Sequence, residues 1–135
     1  MIKRLWEIYM PHYGKRYWYM NIIKFPKGLW RFIKSIGHVF KYGYPPYAVW
    51  NIDYYFVETM KGILTEYLEK NDGYPDWLVN SFEEWQDIIR KMIDDLDKMD
   101  PENFYYQSEK QRYRTESSKS RFFELFSKYF YELWW

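Results

Sequence analysis

A chain of 135 residues is the size of one domain and is long enough to bury most of its unfolded surface around a single core. With 47% hydrophobic and 29% charged residues it is no disordered chain, and with no cysteine it has no disulfide, thiolate zinc site or cysteine nucleophile. The net charge of +1 favours no class of partner, but it conceals a bipolar chain: residues 1–44 carry nine Lys or Arg against Glu7 alone, residues 45–103 five bases against fourteen acids, and residues 104–135 six bases against four acids.

The plainest reading of that asymmetry is a basic N-terminal part neutralised by the acidic middle. The aromatic content of 25% exceeds what a core of this size needs. It points to a core built from rings in place of leucines, with many of the 16 tyrosines at its margin, where their hydroxyls reach water.

In chain order, residues 1–25 are open between strand and helix: Tyr17 to Ile23 is a short apolar run that periodicity cannot assign, and the segment can be an appended arm. Glu7, Pro11, His12 and Gly14 interrupt the basic opening, so no signal peptide is read, and no run approaches the ~18 apolar residues of a membrane span. Pro26 suits a helical first turn, and Leu29, Ile33, Ile36 and Phe40 recur at three- and four-residue steps, which predicts a helix over 26–42. Gly43-Tyr44-Pro45-Pro46 must break it. A central helix is expected over 47–70, with Trp50, Tyr54, Val57, Lys61, Leu64 and Leu68 in one row and Asp53, Phe56, Met60, Ile63 and Tyr67 in the next. Asn71 to Pro75 closes it by Gly and Pro chemistry.

Ser81 and Glu84 form a capping-box pattern that opens a helix over 81–99. Its inward stripe is Trp85, Ile88, Ile89, Met92, Leu96 and Met99, which leaves Glu83, Asp87, Arg90, Lys91, Asp94, Asp95 and Lys98 for water. Residues 102–120 are polar without an apolar period and read as a solvated helix or a connection. A last helical face follows at Phe122, Phe126, Tyr129, Phe130 and Leu133. Trp134 and Trp135 are expected to dock on the core or on a partner, and a homo-oligomer through these two rings is open. The expected architecture is therefore all-α, a compact bundle of about four helices (26–42, 47–70, 81–99 and 104–134) in one domain spanning 1–135.

The succession Trp50-Asn51-Ile52-Asp53, then Glu83-Glu84-Trp85-Gln86-Asp87-Ile88-Ile89, then Leu125-Phe126-Ser127-Lys128-Tyr129-Phe130-Tyr131-Glu132-Leu133-Trp134 resembles a group of small tailed-bacteriophage proteins. Their common motifs are Trp-x-Leu-Asp, Glu-Glu-Trp-x-x-Ile-Leu and Leu-Phe-x-Lys-Tyr-Phe-x-x-Leu-Trp. The match runs over residues 40–135 and departs from the pattern at Ile52, where Leu is usual, and at Trp135, where an acid is expected. The resemblance implies an origin in a phage or prophage, and hence the host cytoplasm; it carries no activity with it.

Lys27, Arg31, Lys34, His38 and Lys41 fall in one narrow stripe of the helix over 26–42, with Trp30 at its edge and Lys24 before it. Cations hold phosphates and rings stack on bases, so a nucleotide or a strand would suit this stripe; so would a membrane surface or an acidic protein. Asp53, within an apolar row, is expected to be buried and either to cap, to pair with a base, or to bind a ligand.

Glu83, Glu84 and Asp87, with Asp94, Asp95 and Asp97 further along, resemble a fragment of the magnesium motif of all-helical nucleotide pyrophosphohydrolases. Asp stands for the third Glu, however, and acids at a helix N-terminus commonly complement its dipole. His12 and His38 form no metal pattern, and there is no catalytic triad or phosphate loop, so no cofactor, metal or catalytic set is expected. The expected function is an accessory protein that binds a host protein or sequesters a small nucleotide, with counter-defence as one such role. Metal-dependent nucleotide hydrolysis and a part in virion assembly are the alternatives.

Overall fold

A computed structural model describes residues 2–9, 18–99, 101 and 104–134. Five α-helices occur among them: α1 (Ile2–Tyr9), α2 (Trp18–Tyr42), α3 (Ile52–Lys70), α4 (Phe82–Lys98) and α5 (Glu109–Lys128). Short 3-10 turns lie at Pro46–Val49, Phe104–Tyr106 and Phe130–Glu132, and the described residues contain no strand. The fold is all-α, as the periodicity requires. No described helix is long and apolar enough to cross a membrane.

The helices group into two compact units, Met1–Ile52 and Asp53–Trp135. The division falls where α3 begins.

In the first unit the ambiguous N-terminal stretch is helical wherever it is described; Tyr17, His12 and the rest of 10–17 lie outside the described residues. The helix expected from residue 26 starts at Trp18 and carries Pro26 inside it. A proline there withholds one N–H from the carbonyl four residues back, a local loss that the hydrogen-bonded turns on either side outweigh. Tight packing of α1 along α2 supports the arrangement: Leu5 is fully buried, and the Trp6 ring meets Phe32 edge-on with centroids 5.2 Å apart at 88°. Gly43 ends α2 in the left-handed region, at φ +80, donating its N–H to the Val39 carbonyl at 2.8 Å; a side chain at this position would be strained.

The helix predicted over 47–70 starts five residues late. Pro45 is extended (φ −76, ψ 152), the next four residues form a 3-10 turn, and Trp50 and Asn51 both donate to the Tyr47 carbonyl at 3.1 Å before α3 begins. Trp50, placed by periodicity in the apolar row, therefore stands in that turn and is 85% exposed.

In the second unit α3, α4 and α5 share one core. Val57 and Leu64 of α3, Trp85, Ile88, Ile89, Met92 and Leu96 of α4, and Phe122 and Tyr129 at the far end all belong to it. Phe122 is the ring hub, stacked on Phe126 (5.4 Å, 15°) and edge-on to Phe56 (6.0 Å, 77°). The tyrosines mostly keep to the margin, and Tyr105, Tyr106, Tyr113 and Tyr131 are exposed. An ion pair from Lys61 to Asp97 ties α3 to α4 and raises the Lys61 pKa, chiefly through the hydrogen bond to that carboxylate.

The end of α3 is closed by Asn71 and not by glycine chemistry. The buried Asn71 side chain donates to the Gly73 carbonyl (2.8 Å) and accepts from the Gly73 N–H (3.0 Å), and Gly73 does not take a positive φ. At the start of α4, Ser81 Oγ accepts from the Glu84 N–H (3.1 Å) as the sequence predicts. The Glu84 carboxylate, however, reaches past Ser81 to the backbone and side-chain amides of Asn80, at 2.8 and 2.9 Å. The fully reciprocal box stands at α5, where Ser108 and Gln111 cap each other.

The polar stretch before residue 120 is mostly the solvated helix α5, and the C-terminal apolar face ends in a short turn, not in a continued helix.

Candidate functional site

Four of the five residues of the basic stripe share one solvent-facing side of α2. Lys27, Arg31, Lys34 and Lys41 are exposed on one side of the helix, and among the described residues none of them meets an acidic partner. The Lys34 ammonium sits 5.1 Å from the centre of the exposed Trp30 ring, and Lys41 lies 4.9 Å from that of Tyr42, so each cation is steered by a neighbouring ring.

His38 has a different role. A carbonyl can only accept, so His38 Nδ1–H donates to the Tyr44 carbonyl at 2.9 Å, and its ring lies 4.5 Å from Tyr42 and 5.3 Å from Tyr44. It fastens the end of α2 and is a weaker candidate for ligand contact than the four long cations.

The apolar row of α2 corrects the sequence reading. Ile33 is 50% exposed and Phe40 88%, although both belong to the apolar row expected to face a core. The buried side of α2 instead carries Gly28 and Ser35, with Ser35 Oγ donating to the Arg31 carbonyl at 2.8 Å. Small residues at 28 and 35 permit close approach; periodicity sees size and polarity but not which face a neighbour takes. α2 thus presents two exposed rows, one cationic and one apolar, turned about 100° or more from each other around the axis.

Asp53 lies in the second unit and is exposed, so the expected burial does not occur. Its Oδ1 accepts from the Tyr54 N–H at 2.8 Å in the first turn of α3, where a carboxylate complements the helix dipole. The late start of α3 puts Asp53 in the exposed first turn of the helix, before the row reaches the core.

The acidic helix separates its carboxylates. Glu84 is held by Asn80, whose amides lower its pKa, Asp87 pairs with Arg90 at 2.8 Å, and Asp94 pairs with Lys98. Among the described residues no three His, Cys, Asp or Glu side chains converge on a point. Asp95, assigned to water by the sequence, is only 3% exposed and takes both Nη2 and Nε of Arg121, the latter at 3.4 Å. Close packing of α4 on α5 turns this position inward, and Arg121 supplies the partner that makes the burial tolerable.

A feature that the sequence reading missed lies at the other end of the second unit. Tyr67, Tyr74, Trp77 and Trp134 line a cleft of about 170 Å³ together with Asp72 and Glu132. The Trp134 ring does not dock on the core; it is 65% exposed, and the docked part is its backbone, whose carbonyl accepts from the Tyr67 hydroxyl at 3.2 Å. Trp135 lies outside the described residues. The alternation of acids and rings in Asp72-Gly73-Tyr74-Pro75-Asp76-Trp77 and Glu132-Leu133-Trp134 was the available signal, but the two segments are far apart in the chain and only the fold joins them.

Comparison of the chain with protein-family models, with curated proteins and with solved structures gives no match.

Proposed function

We propose that this chain is a binding protein that docks on a macromolecular partner through the exposed cationic and apolar rows of α2. The observation that carries the reading is the pairing of Lys27, Arg31, Lys34 and Lys41 with Ile33 and Phe40, all exposed on one helix. Apolar side chains serve as anchors in a protein interface and cations to one side of them set orientation and association rate, so the partner is a protein with an apolar groove flanked on one side by an acidic surface. From Lys27 to Lys41 the cations extend about 21 Å along the axis, a length that suits an extended acidic surface better than the phosphates of one nucleotide. The resemblance to phage proteins supports a host protein as that partner, met in the host cytoplasm, with interference in host defence as the purpose.

The test uses the intact chain and a defined acidic polypeptide, poly-L-glutamate, alongside proteins retained from host extract. Arg31→Glu with Lys34→Glu should abolish salt-sensitive binding to both while leaving the helical circular dichroism unchanged. Binding retained by this double variant would remove α2 as the docking element.

A further inference from the structure

We infer that the cleft beside the end of α3 is a binding site for an organic cation, an alkylated ammonium or a guanidinium group. The inference is independent of α2 and of the function proposed for it, because every residue that carries it belongs to the second unit.

The chemistry of the lining is selective. Four aromatic residues, Tyr67, Tyr74, Trp77 and Trp134, line the space together with the acidic residues Asp72 and Glu132, and among the described residues no basic side chain lines it. Ring faces carry negative charge density and attract cations most strongly where water is partly excluded, while the carboxylates add net negative charge. Neither Asp72 nor Glu132 has an ion-pair partner among the described residues. An anion would be repelled, and a neutral apolar ligand would leave both carboxylates without a use. At about 170 Å³ the cleft accommodates a head group and not a whole nucleotide.

Tyr67 and the backbone that carries the other rings are held by hydrogen bonds before any ligand arrives. The Tyr67 hydroxyl accepts from the Trp85 indole N–H and donates to the Trp134 carbonyl, each at 3.2 Å, so one phenol joins α3, α4 and the segment after the C-terminal turn. Burial raises its pKa, opposed by the bond from Trp85, and keeps it a neutral donor. The loop that carries Asp72, Tyr74 and Trp77 is held by the buried Asn71 at one end. At the other, the Leu78 and Val79 N–H groups donate to the carbonyl of the buried Pro75, at 3.0 and 3.1 Å. Preorganised walls spare the ligand the entropy of ordering them.

Calorimetric titration of the full chain with choline, and with its uncharged carbon analogue 3,3-dimethyl-1-butanol, tests the inference. Choline should bind saturably at millimolar concentration and the analogue should not. Titrations with N-acetyl-arginine methylamide and N-acetyl-lysine methylamide distinguish a cation carried on a peptide from a free quaternary ammonium; binding of either kind supports the site. Trp77 is 64% exposed, so Trp77→Ala should leave the helical spectrum intact while weakening the bound cation roughly tenfold. Asp72→Asn with Glu132→Gln should weaken the cation selectively. Equal binding of choline and the neutral analogue, unchanged affinity in Trp77→Ala, or no binding of any of the three cations would overturn the inference.

Discussion

α2 and α4 are both amphipathic by sequence, and they differ in what became of their apolar rows. In α4, Trp85, Ile88, Ile89, Met92 and Leu96 are buried as periodicity places them, because α3 and α5 supply matching surfaces within the same core. In α2 the predicted row includes Ile33 and Phe40, which stay exposed, while Gly28 and Ser35 are buried. An apolar stripe is therefore a statement about which face would gain from burial; only a neighbour decides whether it does. Where part of it stays exposed, as at Ile33 and Phe40, that part is available to a partner, which is the physical basis for proposing docking at α2 and for placing stability in α4.

Substitutions can break that contrast, and the largest effect is expected at the ring hub of the second unit. Phe122→Ala removes a fully buried ring that touches Phe56 and Phe126, and should cost about 3–5 kcal/mol in denaturant unfolding. A loss under half of that would mean the second-unit core is looser than its packing implies.

A smaller loss is expected from Arg121→Ala, which leaves the Asp95 carboxylate buried without its partner although Arg121 itself is half exposed. Replacing both residues with leucine should recover much of the thermal midpoint; failure to do so would show that the pair does more than satisfy itself.

At the head of α4, Ser81→Ala should cost about 1 kcal/mol. The neighbouring Glu84 is a matter of pH. Its folded pKa is lowered, first by the Asn80 backbone N–H and then by the Asn80 side chain. Its stabilising contact is therefore fully present above the unfolded glutamate value of about 4.3 and is lost as pH falls through the lower folded value. Glu84→Gln should flatten that acid limb of the stability curve, and an unchanged limb would assign acid sensitivity to other carboxylates.

The smallest effect sharpens the comparison most. Ile33→Ser and Phe40→Ser should each change stability by no more than about 0.5 kcal/mol, as surface substitutions do, while reducing partner binding. Met92→Ser in α4 should do the reverse, unfolding the second unit without touching the docking rows.

The sequence by itself determined the helical class, the inward stripe of α4, the Ser81 cap, the break after α2 and the four exposed cations on one side of α2. Each follows from forces that act within a few residues: helical periodicity, side-chain capping, and the backbone restrictions of Gly43 and Pro45. Tertiary structure alone decided which face of α2 is covered, that Asp95 turns inward to Arg121, that Asp53 stays in water, and that Tyr67, Trp77 and Trp134 share a cleft with two carboxylates. Burial and charge pairing depend on elements distant in the chain; the register at which they pack is set by the whole core and leaves no local mark in the residues that it brings together.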